Sequence, residues 1–331
     1  MISIERILCP VTLPQESDEA LPYAVSLASV YDANLLLCHC AGAPALLVST
    51  AIPTNGGDYS QVRTSMAESL APLIARTRRA KPRFEVIVAE GGKDVGEEIV
   101  STARDRRVDL IVMRARRSRV AALLGSTAEQ VSRTASCPVL VIHADETAEA
   151  NSRLPGEFAR VLVSHDFSSS SELALSYALS IAQKFRAELH LLHVLPEPEE
   201  NEAAIAWNEG SVETAYQRAM RRLQFSVPDE IYKRCKVTQV VRWGKPYREV
   251  LAYAKEQDVG LVCMGALGRD FGLQALFGSN VDRVLRQTSC PTLVARPFQA
   301  ALPGLFGSRV TRPSLKSEFV SGSDASLRDY R

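Results

Sequence analysis

Short, almost continuously apolar runs alternate with longer amphipathic segments along most of this sequence. Residues 110–113 and 261–264 are two such runs, and neither shows the strict alternation of a strand that has one face in water. Residues 20–31 and 174–185 instead repeat their apolar positions at helical spacing. Strands that are covered on both faces and separated by helices are typical of an α/β fold with a doubly wound parallel sheet.

The whole pattern occurs twice. The run 7–13 recurs as 161–167, and the later runs follow in the same order: 33–40 with 187–194, 108–113 with 259–264, and 137–141 with 290–294. A chain that repeats itself in this way is expected to form two tandem domains, each large enough to bury a core of its own.

The repeat also sets the expected domain boundaries. We predict a first domain at residues 1–145, a surface linker at 146–157 and a second domain at 158–298. Residues 299–331 are rich in Pro, Gly, Ser and Arg and show little periodicity, so we predict a disordered tail. Leu305 and Phe306 in that tail are a candidate docking spot.

A glycine pattern follows the apolar run 261–264. Two glycines stand three positions apart, and a Gly-Ser pair comes after nine more residues: Gly265, Gly268, Gly278 and Ser279. Backbone N–H groups can close on an anion where no Cβ intervenes. Ser279 is predicted to cap a helix, with Asp282 at the capping-box position, so free N–H groups would face the same place. The pattern indicates a phosphate site, and a tight ligand-free turn is the alternative.

Both halves resemble the universal stress protein family, from Ile4 to about Phe298. The resemblance implies a five-stranded parallel sheet between helices in each half, hence two tandem doubly wound sheets of the adenine nucleotide alpha hydrolase-like type. Nucleotide-binding members of the family carry G-x2-G-x9-G-[ST] after strand four, and the second half matches this pattern without a gap. The ligand that the resemblance implies is ATP, with or without Mg²⁺.

The same resemblance implies which residues contact the nucleotide. The phosphates and ribose would be held by Gly265, Gly268, Gly278, Ser279 and Asn280. Asp166 occupies the place of the family's aspartate after strand one, which contacts the nucleoside. Val194 at the end of strand two, with Met264 nearby, would lie against the adenine. Ser164 and His165 precede the aspartate where the family often has proline, and this departure affects the expected shape of the adenine pocket.

The first half departs from the family pattern at each of these positions. Thr12 replaces the aspartate, and Arg114 and Arg117 replace the first two glycines. Side chains there would obstruct the phosphate space, and arginine would be strained if the backbone needs a positive φ. We therefore predict a half that does not bind nucleotide. A basic anion clamp is the alternative, formed by Arg114, Arg116, Arg117 and Arg119, and a solvated basic loop is a simpler interpretation.

The amino-acid composition limits which partners and which cellular compartment are expected for this protein. The chain has 39 basic and 38 acidic residues and a pI near 7.6, so nothing in its net charge attracts nucleic acid. Charged residues within the first six positions argue against a secretory signal, and seven scattered cysteines fit reduced thiols. The sequence predicts a cytoplasmic protein that binds an adenine nucleotide and contacts neither nucleic acid nor a membrane.

Two further segments have competing interpretations. Cys38, His39 and Cys40 suggest a metal site, but on a strand the cysteines share one side and the histidine faces the other. A core strand is therefore predicted, with His39 and His193 in a shared structural role because they are equivalent in the repeat. The uncharged stretch 33–57 is long enough to span a bilayer, but its polar and proline interruptions favour a strand followed by an apolar loop.

The expected function is nucleotide binding in the stress response, with at most slow ATP hydrolysis. No P-loop and no set of kinase motifs occurs, although Arg269, Asp270 and Asp282 stand near the glycine pattern. A slow ATPase or phosphotransferase and a nucleotide-independent interaction scaffold remain alternatives. The resemblance further implies association through strand five, so residues 138–142 and 291–295 are expected to pair within the chain as a pseudo-dimer. A homodimer is also open.

Overall fold

The three-dimensional description comes from a computed structural model of the chain. It describes residues 2–11, 19–40, 82–89, 94–115, 125–143, 158–197, 211–268 and 277–296, together with positions 64, 67, 68, 71 and 72. The predicted linker at 146–157 and the predicted tail at 299–331 lie outside these residues.

The first half alternates strands and helices in the predicted order. Its elements are β1 (Arg6–Pro10), α1 (Ala20–Tyr31), β2 (Asn34–Cys40), β3 (Phe84–Ala89), α2 (Val95–Asp105), β4 (Leu110–Ala115), α3 (Ser126–Thr134) and β5 (Val139–His143). The strand at the start of the stretch 33–57 is confirmed as β2, and residues 41–57 lie outside the described part of the chain. Among the described helices, none has the length and apolar character needed to cross a bilayer.

The second half repeats this order, and two further helices are described between its second and third strands. Its elements are β6 (Arg160–Ser164), α4 (Ser169–Phe185), β7 (Glu188–Leu195), α5 (Ser211–Ser226), α6 (Asp229–Tyr232), β8 (Val237–Trp243), α7 (Pro246–Glu256), β9 (Leu261–Gly265), α8 (Ser279–Gln287) and β10 (Thr292–Ala295).

The strands form two five-stranded parallel sheets that join into one sheet. The order of the ten described strands is β3-β2-β1-β4-β5-β10-β9-β6-β7-β8. Pairing is parallel within each half, whereas β5 and β10 pair in antiparallel fashion, with Leu293 opposite Leu140. The predicted α/β fold is confirmed, and the expected pairing of the two fifth strands within the chain is present.

The sheet is buried on both faces, as the apolar runs predicted. Along β4, Leu110 and Val112 join the core beneath α1, α4 and α5, and Ile111 and Met113 join the core beneath α2, α3, α7 and α8. All four side chains are at most 3% exposed. Because each strand fills both cores, its sequence is apolar at successive positions.

Local capping sets the helix limits. Helix α1 spans the predicted residues and ends at Asp32, which has a left-handed φ of 54°. Helix α4 ends in the same way at Arg186, with a φ of 56°, but begins before the predicted position 174. The reason is Ser168, whose hydroxyl accepts a hydrogen bond from the Ser171 N–H and caps the helix at its true start.

Candidate functional site

The carboxyl ends of β6, β7 and β9 bring the predicted nucleoside and phosphate residues to one edge of the sheet. Ser164 of β6 lies opposite Leu192 of β7 and Met264 of β9. Asp166 and Val194 each follow two residues beyond this level, and Gly265 follows one residue beyond it. The crevice outside the carboxyl ends of parallel strands is where α/β folds bind ligands.

Asp166 is held in a tight turn between β6 and α4. Its Oδ1 atom accepts hydrogen bonds from the backbone N–H of Ser168 at 3.0 Å and from the Ser168 hydroxyl at 2.6 Å. The Ser168 hydroxyl oxygen in turn accepts from the Ser171 N–H at 3.2 Å. The carboxylate is therefore anchored to the first turn of α4, at the edge of the sheet, with its side chain half-buried.

Phe167, the next residue, has an unusual backbone conformation. Its φ is 63°, in the left-handed region that aromatic residues rarely adopt. Its N–H donates to Nδ1 of His165 at 3.3 Å. The Phe167 ring lies 4.5 Å from the ring of His193, and the Arg222 guanidinium lies 3.9 Å from the Phe167 ring centre. These contacts stabilise a strained turn beside Asp166.

His193 supports the same turn through its imidazole. Its Nδ1 lies 2.7 Å from the backbone oxygen of His165, to which it donates. In the first half, His39 Nδ1 lies 3.2 Å from the backbone oxygen of Val11, the residue equivalent to His165. The predicted shared structural role of the two histidines is confirmed, because each ties the second strand to the loop after the first.

His165 is a buried histidine next to Asp166. Its Nε2 atom is 3.3 Å from a carboxylate oxygen of Glu172, and its Nδ1 accepts the Phe167 N–H. Burial lowers the pKa of His165 below its ordinary value, and the nearby carboxylates of Glu172 and Asp166 offset only part of that effect. A ring that accepts the Phe167 N–H at Nδ1 carries no proton on that atom, so this hydrogen bond and burial both favour the neutral imidazole.

Gly265 is required by close packing. A Cβ on this residue would lie 2.5 Å from the carbonyl carbon of Ser170 and 2.7 Å from its hydroxyl oxygen. The same hydroxyl oxygen accepts a hydrogen bond from the Leu267 N–H at 3.3 Å. Gly265 does not have a positive φ, so the close contact between the end of β9 and the start of α4, rather than a left-handed backbone, requires glycine here.

Gly268 and Gly278 lie side by side. The Gly278 N–H donates to the backbone oxygen of Ala266 at 2.8 Å, and a Cβ on Gly278 would point to within 3.8 Å of the Gly268 nitrogen. The backbone at Gly278 therefore lies next to the backbone at Ala266 and Gly268. Residues 269–276, between the two glycines, lie outside the described residues. Any side chain at 278 would occupy the space beside the Gly268 amide.

Helix α8 begins at this glycine pair. Its N-cap is Gly278, whose carbonyl oxygen accepts from the Asp282 N–H at 3.1 Å, and no side chain caps the helix. The expectation that Ser279 is the N-cap with Asp282 in a capping box is wrong, because Ser279 is already helical. Asp282 instead pairs with Arg286 at 2.9 Å and Arg133 at 3.2 Å. The N–H groups of the first turn thus receive no side-chain cap, and such groups attract anions.

The remaining predicted contacts differ in exposure. Ser279 is exposed, Asn280 and Val194 are half-buried, and Met264 is only 4% exposed. Met264 packs in the core beneath the edge of the sheet. Its side chain can form the floor of a ligand site but contributes little surface to it.

The first half fills the equivalent place with an ion pair. Arg114 stands where the second half has Gly265, and its guanidinium donates to a carboxylate oxygen of Glu19 at 2.9 Å. Glu19 is the residue at the start of α1. The other predicted positions of the first half lie outside the described residues: Thr12, Arg116, Arg117 and Arg119. The same is true of Arg269 and Asp270 in the second half.

Sequence reasoning missed several residues that shape the site. Ser170, Phe167, Arg222 and Arg133 were not singled out, although each contacts the turns described above. Phe167 and Ser170 follow the predicted aspartate by one and four residues, and this proximity in sequence was the available signal. Arg222 and Arg133 come from distant helices, so only the tertiary structure reveals their contacts.

Comparison with known proteins gives a consistent picture. The sequence profile of the Universal stress protein family matches residues 3–143 and 157–296. A universal stress protein of Mycolicibacterium smegmatis is 28% identical over 306 residues, covering 88% of this chain and 97% of that protein. Universal stress protein Rv2623 of Mycobacterium tuberculosis is 31% identical over 175 residues, covering 53% of this chain and 56% of that protein.

Solved structures share the fold. A universal stress protein from Archaeoglobus fulgidus has a TM-score of 0.57 at 23% identity and covers 89% of this chain and 97% of its own. PA1789 from Pseudomonas aeruginosa, described as functionally unknown, has a TM-score of 0.62 at 20% identity and covers 89% and 93%. At these identities the likeness concerns architecture, and each profile match falls on one of the two halves of the sheet.

Proposed function

The chain belongs to the universal stress protein family, and from this premise we propose that it is a cytoplasmic ATP-binding protein of the stress response whose second half holds the nucleotide. Its proposed partner is the adenine nucleotide itself, and binding rather than turnover is its main activity. Association of two chains stays a prediction.

The observation that carries this proposal is the pairing of Gly268 with Gly278 at the uncapped start of α8. A Cβ on Gly278 would come within 3.8 Å of the Gly268 nitrogen, so glycine at 278 keeps the space beside that amide open for a ligand. N–H groups and the positive end of a helix dipole favour an anion such as a phosphate. The residues present therefore fit the phosphate groups of a nucleotide.

The remaining groups at this edge suit the rest of the nucleotide. Asp166 has a carboxylate that can accept a hydrogen bond from a ribose hydroxyl, and its turn is fixed by Ser168. Val194 offers a half-buried aliphatic surface for adenine, with Met264 beneath it. Ser279 and Asn280 add side-chain donors on the first turn of α8. Each predicted contact thus has a chemically matching group.

The first half is proposed to bind no nucleotide. Arg114 stands where the second half has Gly265, which packs against the start of α4, and its side chain is paired with Glu19. An arginine whose charge is neutralised by a carboxylate is a poor phosphate ligand, which also argues against an anion clamp that includes Arg114.

Slow hydrolysis or phosphoryl transfer is the second candidate. It needs a magnesium ligand and a group that orients the nucleophile. Asp282 is a weak candidate for either role because Arg133 and Arg286 already hold it. If hydrolysis occurs, Asp270→Asn should lower the rate while the affinity for ATP remains.

The decisive experiment compares two equivalent substitutions. Gly278 and Gly125 are the N-caps of equivalent helices, with φ and ψ of −77° and 141° for the first and −56° and 141° for the second. Gly278→Arg should abolish ATP binding in calorimetric titration with Mg²⁺, and Gly125→Arg should leave it unchanged. Because the two backbone conformations match, a general loss of stability would affect both variants.

The stoichiometry gives an independent check. About one adenine nucleotide per chain, released by heat denaturation and identified by mass spectrometry, is expected. Two per chain would contradict the proposed inactivity of the first half. No released nucleotide and no titratable binding would favour a nucleotide-independent scaffold, in which Gly268→Arg changes only stability.

A further inference from the structure

A tyrosine of the second half is held between two arginines that the nucleotide contacts named so far do not include. The Arg283 guanidinium of α8 lies over the Tyr247 ring, with 4.7 Å between its central carbon and the ring centre. Arg248 donates from Nε to the Tyr247 hydroxyl at 3.0 Å. Tyr247 is half-buried, and both arginines are exposed. These three side chains form the Tyr247 cluster.

The start of α7 brings this cluster to the carboxyl edge of the sheet. Tyr247 is the second residue of α7, which begins two residues after the end of β8. The Gly244 N–H in that turn donates to the backbone oxygen of Leu195, the last residue of β7, at 2.9 Å. The first turn of α7 therefore lies at the edge where the nucleoside and phosphate residues meet, and the contact with Arg283 joins it to α8.

Arg283 lies one turn beyond the start of α8. It follows Ser279 by four residues, so the two side chains share one side of the helix and are about 6 Å apart along its axis. Side chains on a helix lean towards its N-terminus. The Arg283 guanidinium is therefore directed towards the first turn of α8, whose N–H groups receive no side-chain cap, and the Tyr247 ring fixes its position.

The equivalent positions of the first half have the opposite chemistry. The Gln130 side chain of α3 lies against Gly96 of α2, in the place that a Cβ on Gly96 would occupy, so the same two helix positions touch in both halves. The residues of the second half and their equivalents are Lys245 with Asp94, Tyr247 with Gly96, Arg248 with Glu97, and Arg283 with Gln130. Packing of the two helices therefore does not require the cations, which occur only in the half proposed to bind nucleotide.

The carboxylates next to the cluster are held by other arginines. Glu249 pairs with Arg242 at 3.5 Å, and Asp282 pairs with Arg286 at 2.9 Å. Among the described residues, the two arginines of the Tyr247 cluster form no ion pair with a carboxylate. Their positive charge is therefore not neutralised within this part of the protein.

The chemistry of the cluster suits a phosphate group. The hydrogen bond from Arg248, with a smaller contribution from Arg283, lowers the pKa of Tyr247 below its ordinary value, so the surroundings favour negative charge. A guanidinium presents a planar fork of N–H donors that matches phosphate oxygens. Stacking on a ring uses the face of the guanidinium and leaves the N–H groups at its edge available.

We propose that Arg248 and Arg283 bind the terminal phosphates of the nucleotide and thereby make the site select a triphosphate over a monophosphate. This inference rests on the proposed function, because it requires an adenine nucleotide in the second half. The backbone N–H groups at Gly268 and Gly278 hold the phosphate next to the nucleoside. Only a longer phosphate chain extends past the start of α8 to the Tyr247 cluster.

The test compares ATP with AMP by calorimetric titration of the full-length protein, with Mg²⁺ in both cases. The unmodified protein should bind ATP at least about tenfold more tightly than AMP. Arg283→Gln should weaken ATP binding about tenfold, the size expected for a hydrogen bond to a charged group, and Arg248→Gln should act in the same direction. Both variants should keep their affinity for AMP within about twofold, which also shows that they fold.

Lys255→Gln is the matched control. It removes one positive charge from the last turn of α7, where Lys255 is exposed, and should change neither affinity. A preference for ATP that survives either arginine substitution, or equal weakening of ATP and AMP, would overturn the inference and leave the proposed function in place. Equal affinity of the unmodified protein for ATP and AMP would do the same. Binding of neither nucleotide would overturn the proposed function and this inference together.

Discussion

The guanidinium group of Arg133 lies over the ring of Phe277, with 5.2 Å between its central carbon and the ring centre. Arg133 belongs to α3 of the first half, and Phe277 is the residue before Gly278 in the second half. Arg133 also pairs with Asp282 on α8 at 3.2 Å. A residue of the first half therefore contacts both the residue that precedes α8 and the first turn of α8. In the first half itself, the place equivalent to the candidate site is filled by the ion pair of Arg114 and Glu19.

This contact predicts that the first half supports nucleotide binding without touching the nucleotide. Arg133→Gln removes both the ring contact and the ion pair, so the segment entering α8 should be less ordered. A cation over a ring contributes about 1 kcal/mol, which corresponds to roughly fivefold weaker ATP binding. Calorimetric titration with ATP and Mg²⁺ measures the effect.

Glu129→Gln is the matched control for this prediction. Glu129 pairs with Arg133 at 3.1 Å and with Arg286 at 2.9 Å, and Glu129→Gln leaves both partners of the Arg133–Phe277 contact in place. Ion pairs that solvent still reaches contribute little, and these are only half-buried, so affinity should change less than about twofold. Equal effects of the two variants would show that the ring contact is unimportant.

The second prediction concerns the two glycines that pack differently. Gly265→Ser should lower the free energy of unfolding by about 1–3 kcal/mol, because its Cβ would lie 2.5 Å from backbone atoms of Ser170 that cannot move aside. Gly278→Ser makes the same chemical change where the nearest atom is 3.4 Å away. Serine is also a favoured N-cap, so little or no loss is expected there.

Urea denaturation of the ligand-free protein measures both changes. A similar loss for Gly265→Ser and Gly278→Ser would mean that the end of β9 can move away from α4. A large loss for Gly265→Ser alone would establish that this glycine serves packing in addition to any ligand contact.

The sequence predicted the architecture well because burial on both faces leaves a simple pattern. The apolar runs correspond to β4 and β9, and residues 20–31 form α1 as predicted. The resemblance to the universal stress protein family added the pairing of the fifth strands, now seen between Leu140 and Leu293. The strands and helices depend on local periodicity, which a single sequence contains, whereas the pairing depended on the resemblance.

The details of the candidate site were less accessible. The reason for glycine at position 265 depends on the approach of α4, which periodicity does not specify. The left-handed backbone of Phe167 is maintained by His165, His193 and Arg222, which lie on three different segments. Such contacts arise only when separate elements are brought together, so composition and spacing could locate the edge of the sheet but not the geometry of its turns.

The third prediction addresses the contact between the halves on the other face of the sheet. The Tyr31 hydroxyl of α1 donates to the Ser180 hydroxyl of α4 at 2.9 Å, and burial raises the pKa of Tyr31 to about 12. Tyr31→Phe should lower the free energy of unfolding by about 1 kcal/mol, the usual contribution of a hydrogen bond. Combining it with Ser180→Ala in a double-mutant cycle isolates the pair, and fully additive losses would show that the bond contributes nothing.

The last prediction follows from the buried histidines. Burial lowers the pKa of His165 and, with Glu188 partly opposing it, that of His190. In the unfolded chain both side chains take up a proton near pH 6.5. Below that pH the unfolded state therefore binds more protons than the folded state, so the free energy of unfolding should fall as the pH drops.

The size of this effect can be bounded and assigned. Between about pH 7.5 and about pH 5.5 a histidine that stays neutral when folded contributes a loss of up to about 1.4 kcal/mol. His165→Asn keeps an acceptor for the Phe167 N–H but cannot titrate. Urea denaturation at the two pH values should therefore show a loss of unfolding free energy that is smaller than in the unmodified protein by that contribution. An unchanged pH dependence in His165→Asn would mean that His165 takes up a proton as readily in the folded protein as in the unfolded chain, which a buried ring accepting the Phe167 N–H at Nδ1 could not do.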